Sequence, residues 1–336
     1  MCKLIVPENY KSILDIMQTE KAIKELRTHF EDQLSARLNL ERISAPLFVY
    51  PETGLNDNLN GTECPVSFGI REQNGRKAEI VHSLAKWKRY ALKKYGFSNG
   101  KGLYTNMNAI RCEEETDNIH SIYVDQWDWE KVISREERNK SVLKEIVRSI
   151  YEAIRDTESF VAENYPGIVR TLPKEIEFLE SQELEDAYPD LTPKEREYVA
   201  AKKYGAIFII GIGGAMKSGD IHEGRASDYD DWTLNGDIIV YYDLLDMAVE
   251  LSSMGIRVDA EALKYQLEVK QENEKFLLPY HRSIMTEDLP YTIGGGIGQS
   301  RLCMVLLRKA HIGEVQVSLW TPETEAGCVE KGISLL

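Results

Sequence analysis

Apolar positions along the chain fall into two alternating periods, and the switches between them mark out the elements. Between 19 and 38, Ile23, Leu26, Phe30, Leu34 and Leu38 recur at helical intervals among charged residues, which predicts a long amphipathic helix. The stretch 40–50 is β-branched and aromatic and predicts a strand whose Pro46 must sit at an edge or a bulge. Two strands follow at 66–71 and 77–81, turned through Asn74-Gly75. From His82 a basic helix opens, with Ser83 placed to cap it. Strands at 102–111 and 120–130 flank an acidic loop at 112–118.

A second long helix is predicted over 141–163, carried by Val142, Ile146, Ile150, Ile154 and Val161 and stopped by Pro166-Gly167. A short strand at 176–181 precedes a helix that starts with a capping box at Thr192 and Glu195 and closes at Gly205. The buried strand 206–210 ends in Gly211, Gly213 and Gly214, read as a tight backbone turn. A loop at 222–232 is dense in acids, and strands are expected at 235–242 and 250–258. Asp259 caps a helix running to about 271, and a polar helix spans about 273–285. The stretch 292–301 predicts a glycine turn running into a helix that carries Arg301 in its first turns.

In the 120–130 strand, Trp127 and Trp129 share one face, while Gln126, Asp128 and Glu130 share the other. A polar row on a buried sheet is costly unless it is paired. That row therefore favours a ligand surface. A glycine turn leading into a helix suits phosphate, because free N–H groups point outward there. The spacing is neither that of a P-loop nor G-x-G-x-x-G. Asp237 and Glu250, expected at successive strand ends, suit a Mg²⁺ held by two carboxylates and nucleotide phosphates. Asp57 lies in the polar turn cluster 54–61, where a rigid scaffold can present binding groups. Lys86 or Lys88 is expected either on a solvated face or turned inward toward a carboxylate or phosphate.

Composition narrows the picture. The chain has 336 residues, 43% hydrophobic and 29% charged, values of a soluble globular protein, and it carries no repeat or divisive linker. A single domain over 1–336 is the simplest organisation. The net charge of −14 makes nucleic acid a poor partner. No apolar run reaches the length of a membrane span, no signal-peptide pattern opens the chain, and five cysteines without C-x-x-C spacing suit reduced thiols in the cytoplasm. Cys2, exposed once Met1 is removed, is the type of nucleophile used by glutamine-hydrolysing amidotransferase domains. The glycine-rich loop expected after it is absent, so that reading is set aside.

Three stretches together resemble the signature motifs of class II aminoacyl-tRNA synthetases. Leu40-x-x-Ile43-x-x-Pro46, after a long helix, is similar to the dimer-forming first motif. Arg111-x-Glu113 followed by a loop and a strand is similar to the second, and Gly294-x-Gly296-x-Gly298-x-x-Arg301 to the third. The runs at 82–89, 123–130, 250–258 and 293–302 narrow the resemblance to the ammonia-dependent asparagine synthetases, covering about 16–336. A short connection between Trp232 and Asn235 departs from that pattern and leaves the local lid geometry open.

The resemblance implies an α+β fold, a mixed and mainly antiparallel β-sheet flanked by helices. It also implies ATP-dependent amidation of L-aspartate by ammonia through a β-aspartyl-adenylate, giving L-asparagine, AMP and pyrophosphate. Arg111, Glu250, Arg257, Gly294, Gly296, Gly298 and Arg301 are then expected to bind ATP, with Mg²⁺ on Glu250 and Asp237. Asp57, Ser83, Lys88, Gln126, Asp128 and Ser253 are expected to bind aspartate. Asp57, Arg111, Gln126 and Asp230 are the catalytic candidates, with Asp230 and then Asp57 as proton acceptor from ammonium. A homodimer built near 19–50 is implied as well, with no nucleic acid or membrane partner. The alternative is an aspartyl- or asparaginyl-tRNA synthetase-like paralogue with a different acceptor, against which stand the charge and the lack of room for an anticodon-binding barrel. A catalytically dead paralogue would be expected to have lost Arg111, Glu250 or Arg301, and all three are present.

Overall fold

The computed structural model describes residues 4–57, 59 and 63–336; Cys2 and part of the 54–61 turn cluster lie outside the described residues. In chain order the elements are α1 (Ile16–Leu38), β1 (Leu40–Arg42), β2 (Phe48–Val49), β3 (Ser67–Ile70), β4 (Arg76–Ile80), α2 (Ala85–Lys94), β5 (Gly102–Ile110) and β6 (Tyr123–Val132). They continue with α3 (Lys140–Asn164), β7 (Glu177–Glu180), α4 (Ser181–Ala187), α5 (Pro193–Tyr204), β8 (Ala206–Ile210), β9 (Asp230–Tyr242) and β10 (Met247–Arg257). The last are α6 (Ala260–Lys270), α7 (Pro279–Met285), β11 (Thr292–Gly298), α8 (Gln299–Leu306) and α9 (Pro322–Glu330).

Eight strands form one sheet in the order β1-β5-β6-β11-β10-β9-β8-β7, and β2, β4 and β3 form a small second sheet. Only the outermost pairs, β1 with β5 and β7 with β8, run parallel; the pairs between them are antiparallel. This is the mixed, mainly antiparallel α+β fold expected.

Pleat alternation gives the large sheet two unlike faces. One face presents Trp127, Trp129, Ile238, Val240, Ile293 and Ile297, all buried against apolar residues of α1, α3 and α8. The indole N–H of Trp127 donates to Glu31 of α1 at 2.8 Å, which satisfies a donor the core would otherwise orphan. On the opposite face, α2 packs over Leu103 at one end and α4 and α5 over Ile207, Ile209 and Ile239 at the other. Between those two apolar patches the face is polar. There the cavity lies.

Several sequence expectations need correction. The 40–50 stretch is two short strands in different sheets, broken around Pro46, which has no N–H to give a ladder. Ser83 is not the cap of α2: Leu84 holds that position, and Ser83 instead lines the cavity. The residues between Trp232 and Asn235 are not a short loop, because β9 begins at Asp230 and runs straight through them. Asp237 and Glu250 are therefore interior to long strands rather than at their ends. The polar helix at 273–285 is split by Pro279 into a 3₁₀ turn and α7. The short α4 was not anticipated.

The largest correction concerns the glycine stretch. Residues 292–298 form β11, in the interior of the large sheet, and none of its glycines has a positive φ. No turn is made there. The second glycine cluster behaves as expected, with Gly211 and Gly213 at φ of +87° and +103°.

Candidate active site

What the glycines of β11 supply is absence of side chains. Gly294 and Gly296 face Glu130 and Asp128 across the ladder with β6. A Cβ on Gly294 would collide with the Glu130 carboxylate, and one on Gly296 with the Gln126 amide. Gly295, on the other side of the strand, would press a Cβ to 2.5 Å from that of Met254. The result is a low, flat floor from which the polar row of β6 rises. Above it opens a cavity of about 700 Å³ lined by Ser83, Lys88, Arg111, Gln126, Asp128, Asp230, Asp237, Glu250, Ser253, Arg257, Gly296, Gly298 and Arg301. Most of the sequence-nominated residues are thus brought together.

One charged group is buried under the floor's edge. Lys88 Nζ donates to Asp128 and, at 3.0 Å, to the carbonyl of Gly295, and lies 3.8 Å from Glu130. Arg257 forks onto Glu130 through Nε and Nη2 at 2.9 and 2.7 Å and reaches Asp230 through Nη1. Thr292 Oγ1 donates to Glu130 at 2.7 Å. Burial opposes charge on Lys88, Glu130 and Arg257. Glu130 nonetheless stays below the ordinary carboxylate range, because Arg257 and Lys88 more than offset it, while the ammonium of Lys88 is lowered by burial despite Asp128. Asp128 keeps Oδ2 buried without a partner among the described residues, and its side chain lines the cavity.

A second group gathers around Asp237. Arg225 Nη2 donates to Asp237 at 2.7 Å and its Nη1 to Ser253 Oγ. A bulge at Leu251 inserts one residue between the pairs Glu250–Ile239 and Ser252–Ile238. Glu250 and Ser253, three apart, therefore both look onto the cavity. Burial, with Glu250 and Glu223 close by, pushes Asp237 up to about 7 even against Arg225. Glu250 is held below its ordinary range, since Arg301, Lys194, Arg225 and Arg111 together outweigh its burial. Asp237, whose charge is resisted by burial and by Glu250 beside it, and Glu250, which stays an anion, are a carboxylate pair that a divalent cation would relieve, so the two fit Mg²⁺ bound with phosphate oxygens. Among the described residues no trio of His, Cys, Asp or Glu is arranged to hold a metal unaided.

Arg301 donates from Nη1 to the Glu250 carbonyl at 2.8 Å, which fixes it beside β10. Its helix is pinned from below: Asp125 accepts the Ser300 N–H at 3.0 Å, its hydroxyl at 2.8 Å, and Arg27 of α1 at 2.9 Å. Arg111 directly follows β5 at the cavity, with Nε unpartnered among the described residues.

Asp57 is placed differently from expectation. It is buried and lines a smaller neighbouring cavity of about 260 Å³, not the larger one. That second cavity also holds Lys86, which turns inward to Asp228 at 2.8 Å, and His281, bonded to the same carboxylate at 2.9 Å. Both lysines weighed in the sequence therefore point inward, each to its own carboxylate. Sequence reading missed Arg225, Asp228 and His281. Arg225 and Asp228 did stand in a loop marked as unusually acidic, but nothing in the chain pointed to His281.

Comparison with known proteins agrees with this geometry. The family model for aspartate–ammonia ligase matches residues 17–332. The chain is similar to an aspartate–ammonia ligase of Clostridium perfringens (strain SM101 / Type A), 59% identical over 336 residues and 100% of both chains. It is also similar to one from Fusobacterium nucleatum, 58% identical over 97% of this chain and 99% of that one. Among solved structures, the asparaginyl-tRNA synthetase of Pyrococcus horikoshii complexed with asparaginyl-adenylate shares the fold at a TM-score of 0.64 and 14% identity, covering 90% of this chain and 69% of that one.

Proposed function

This chain belongs to the aspartate–ammonia ligase family, a family of carbon–nitrogen ligases that make asparagine from aspartate and ammonia, and we propose that it converts ATP to AMP and pyrophosphate through a β-aspartyl-adenylate. The observation that carries this reading is the side-chain-free floor of β11 bordered by Arg111 and Arg301 in one cavity. A flat floor suits a planar base and sugar, and the two guanidiniums suit a phosphate attacked from the other side by a carboxylate.

In the first half-reaction a β-carboxylate oxygen of aspartate bonds to the α-phosphorus and pyrophosphate leaves. Arg111 donates to the α-phosphate as its charge develops, and Arg301 holds the nucleotide from the opposite side. Asp237 and Glu250 would hold Mg²⁺, which when bound neutralises pyrophosphate charge. The orphan Oδ2 of Asp128, with Gln126 beside it, accepts the α-ammonium of aspartate; Ser83, Ser253 and Lys88, together with Arg225, address its carboxylates. Arg257 acts through Glu130 and Asp230 to keep this wall in place.

In the second half-reaction ammonia attacks the β-carbonyl carbon and AMP leaves. Asp230 is committed to Arg257, whereas Asp57 keeps Oδ2 free among the described residues, so the proton from ammonium is assigned to Asp57. Homodimerisation along α1 and the 40–50 stretch is supported by the exposed Leu47, Phe48 and Phe68 on the small sheet. Sedimentation of Leu47→Glu with Phe68→Glu tests it, and an unchanged mass would exclude that surface.

Purified protein given ATP, Mg²⁺, aspartate and ammonium should release AMP, pyrophosphate and asparagine in equal amounts. Arg111→Ala and Arg301→Ala should each abolish aspartate-dependent pyrophosphate exchange; near-normal exchange in either would place the phosphates elsewhere. Formation of ADP and phosphate, or of aspartyl-tRNA, would refute the reading.

A further inference from the structure

Apart from Arg225, which lines both cavities, the second cavity takes no part in the adenylation step proposed above, yet it is built like a site. Two of its carboxylates are almost fully withdrawn from solvent, Asp57 at 3% exposure and Asp228 at 1%. Each carries one oxygen that is buried and without a hydrogen-bond partner among the described residues: Oδ2 of Asp57 and Oδ1 of Asp228. His281 adds a third such atom, because Nε2 is bonded to Asp228 and Nδ1 is left bare. With the Nε2 proton donated to Asp228, all three orphan atoms are acceptors. The orphan donor in the same wall, Arg225 Nε, belongs to a guanidinium already committed to Asp237 and Ser253. Buried acceptors left empty are expensive, and a small donor-only species is what satisfies them.

From these orphan acceptors we propose that the second cavity is the docking site for the nitrogen substrate as ammonium, bound by Asp57 and Asp228. Ammonium donates in four directions and accepts in none. Most other charges of the wall already have partners: Lys86 and His281 hold the second oxygen of Asp228, Lys275 sits 2.9 Å from Glu272 and 3.7 Å from Asp228, and Glu79 is 3.2 Å from Lys77, while Lys270 lies over the Trp232 ring. Asp57 has no cation within ion-pair distance among the described residues, so a charge of one suits it. Asp228 is held far below the usual carboxylate range, since Lys86, the His281 hydrogen bond and Lys275 outweigh its burial. It therefore stays an anion and binds the cation without taking its proton. The route onward is short, because Leu59, Arg225 and Ala226 line both cavities. One N–H bond of ammonium then breaks toward Asp57, the electron pair remains on nitrogen, and ammonia passes to the adenylate. This inference rests on the ligase reading above.

Steady-state asparagine formation with ammonium as the varied substrate tests it, alongside pyrophosphate exchange, which needs no nitrogen. Asp228→Asn removes the anion. Leu278→Trp fills the cavity from its rim without removing a charged group. Both variants should raise KM for ammonium about tenfold or more, while Leu278→Trp leaves KM for ATP and aspartate, and pyrophosphate exchange, within about twofold. Wild-type KM for ammonium in Leu278→Trp would overturn the proposal even if Asp228→Asn failed to fold. Stimulation of the wild type by potassium at saturating ammonium, lost in Leu278→Trp, would mark a monovalent-metal site and also overturn it. A wild type that makes no asparagine from ammonium sinks the parent reading instead, so the two failures are distinguishable.

Discussion

Glu130 rises directly over Gly294, so that a Cβ on the glycine would overlap the carboxylate that Arg257 grips at 2.7 Å. The glycine is therefore a packing requirement of a buried ion pair before it is anything else. Gly294→Ala should push Glu130 off Arg257, destabilise the fold by about 1–3 kcal/mol, and abolish pyrophosphate exchange. Denaturant midpoints and exchange rates read both effects. A variant with unchanged midpoint and exchange would show that the close approach of β6 and β11 is not needed.

Lys88 and Asp128 are buried together, and removing one partner strands the other. Lys88→Met should cost about 3–5 kcal/mol of stability, and the double variant Lys88→Met with Asp128→Leu should recover part of that loss. If the double variant is less stable than the single one, the pair is not the source of the cost. Aspartate-dependent exchange should be lost in both: the single variant lacks the ammonium that addresses the substrate carboxylates and holds Asp128, and the double variant also lacks Asp128 Oδ2, the orphan acceptor facing the cavity.

Acid should unfold the protein through carboxylates that are depressed in the folded state. Asp228 and Glu130 both lie below their ordinary values of 3.8 and 4.5, since the cations beside them outweigh burial. As the folded pKa values are the lower ones, their stabilisation is complete above the ordinary values and is lost as pH falls below them. Thermal midpoints taken from about pH 5 down to about pH 3 should fall more steeply for the wild type than for Asp228→Asn. Parallel slopes would exclude Asp228 as a contributor.

Much of this was legible in the chain. The alternation from Gln126 to Glu130 already separated an indole face from a polar row, because strand pleating admits one assignment only. The helices around Phe30 and Ile150 followed from period alone. The glycine stretch was misread for a physical reason: without side chains a strand leaves no alternation to detect, and glycine density imitates a turn. Its partners, Glu130 and Gln126, lie more than 160 positions away in the chain, and only the ladder brings them over it. The same holds for His281, which meets Asp228 across 53 residues. Asp57 was nominated for the aspartate site and lines the smaller of the two adjoining cavities, because a turn cluster does not reveal which of them it faces.

The central claim is that aspartate is activated as an acyl-adenylate in the cavity above β11. It is tested most directly by aspartate carrying a heavy oxygen isotope in its β-carboxylate, turned over with ATP and ammonium. The account predicts that one labelled oxygen appears in the phosphate of AMP and none in pyrophosphate. Label in inorganic phosphate with release of ADP, or AMP free of label, would contradict it.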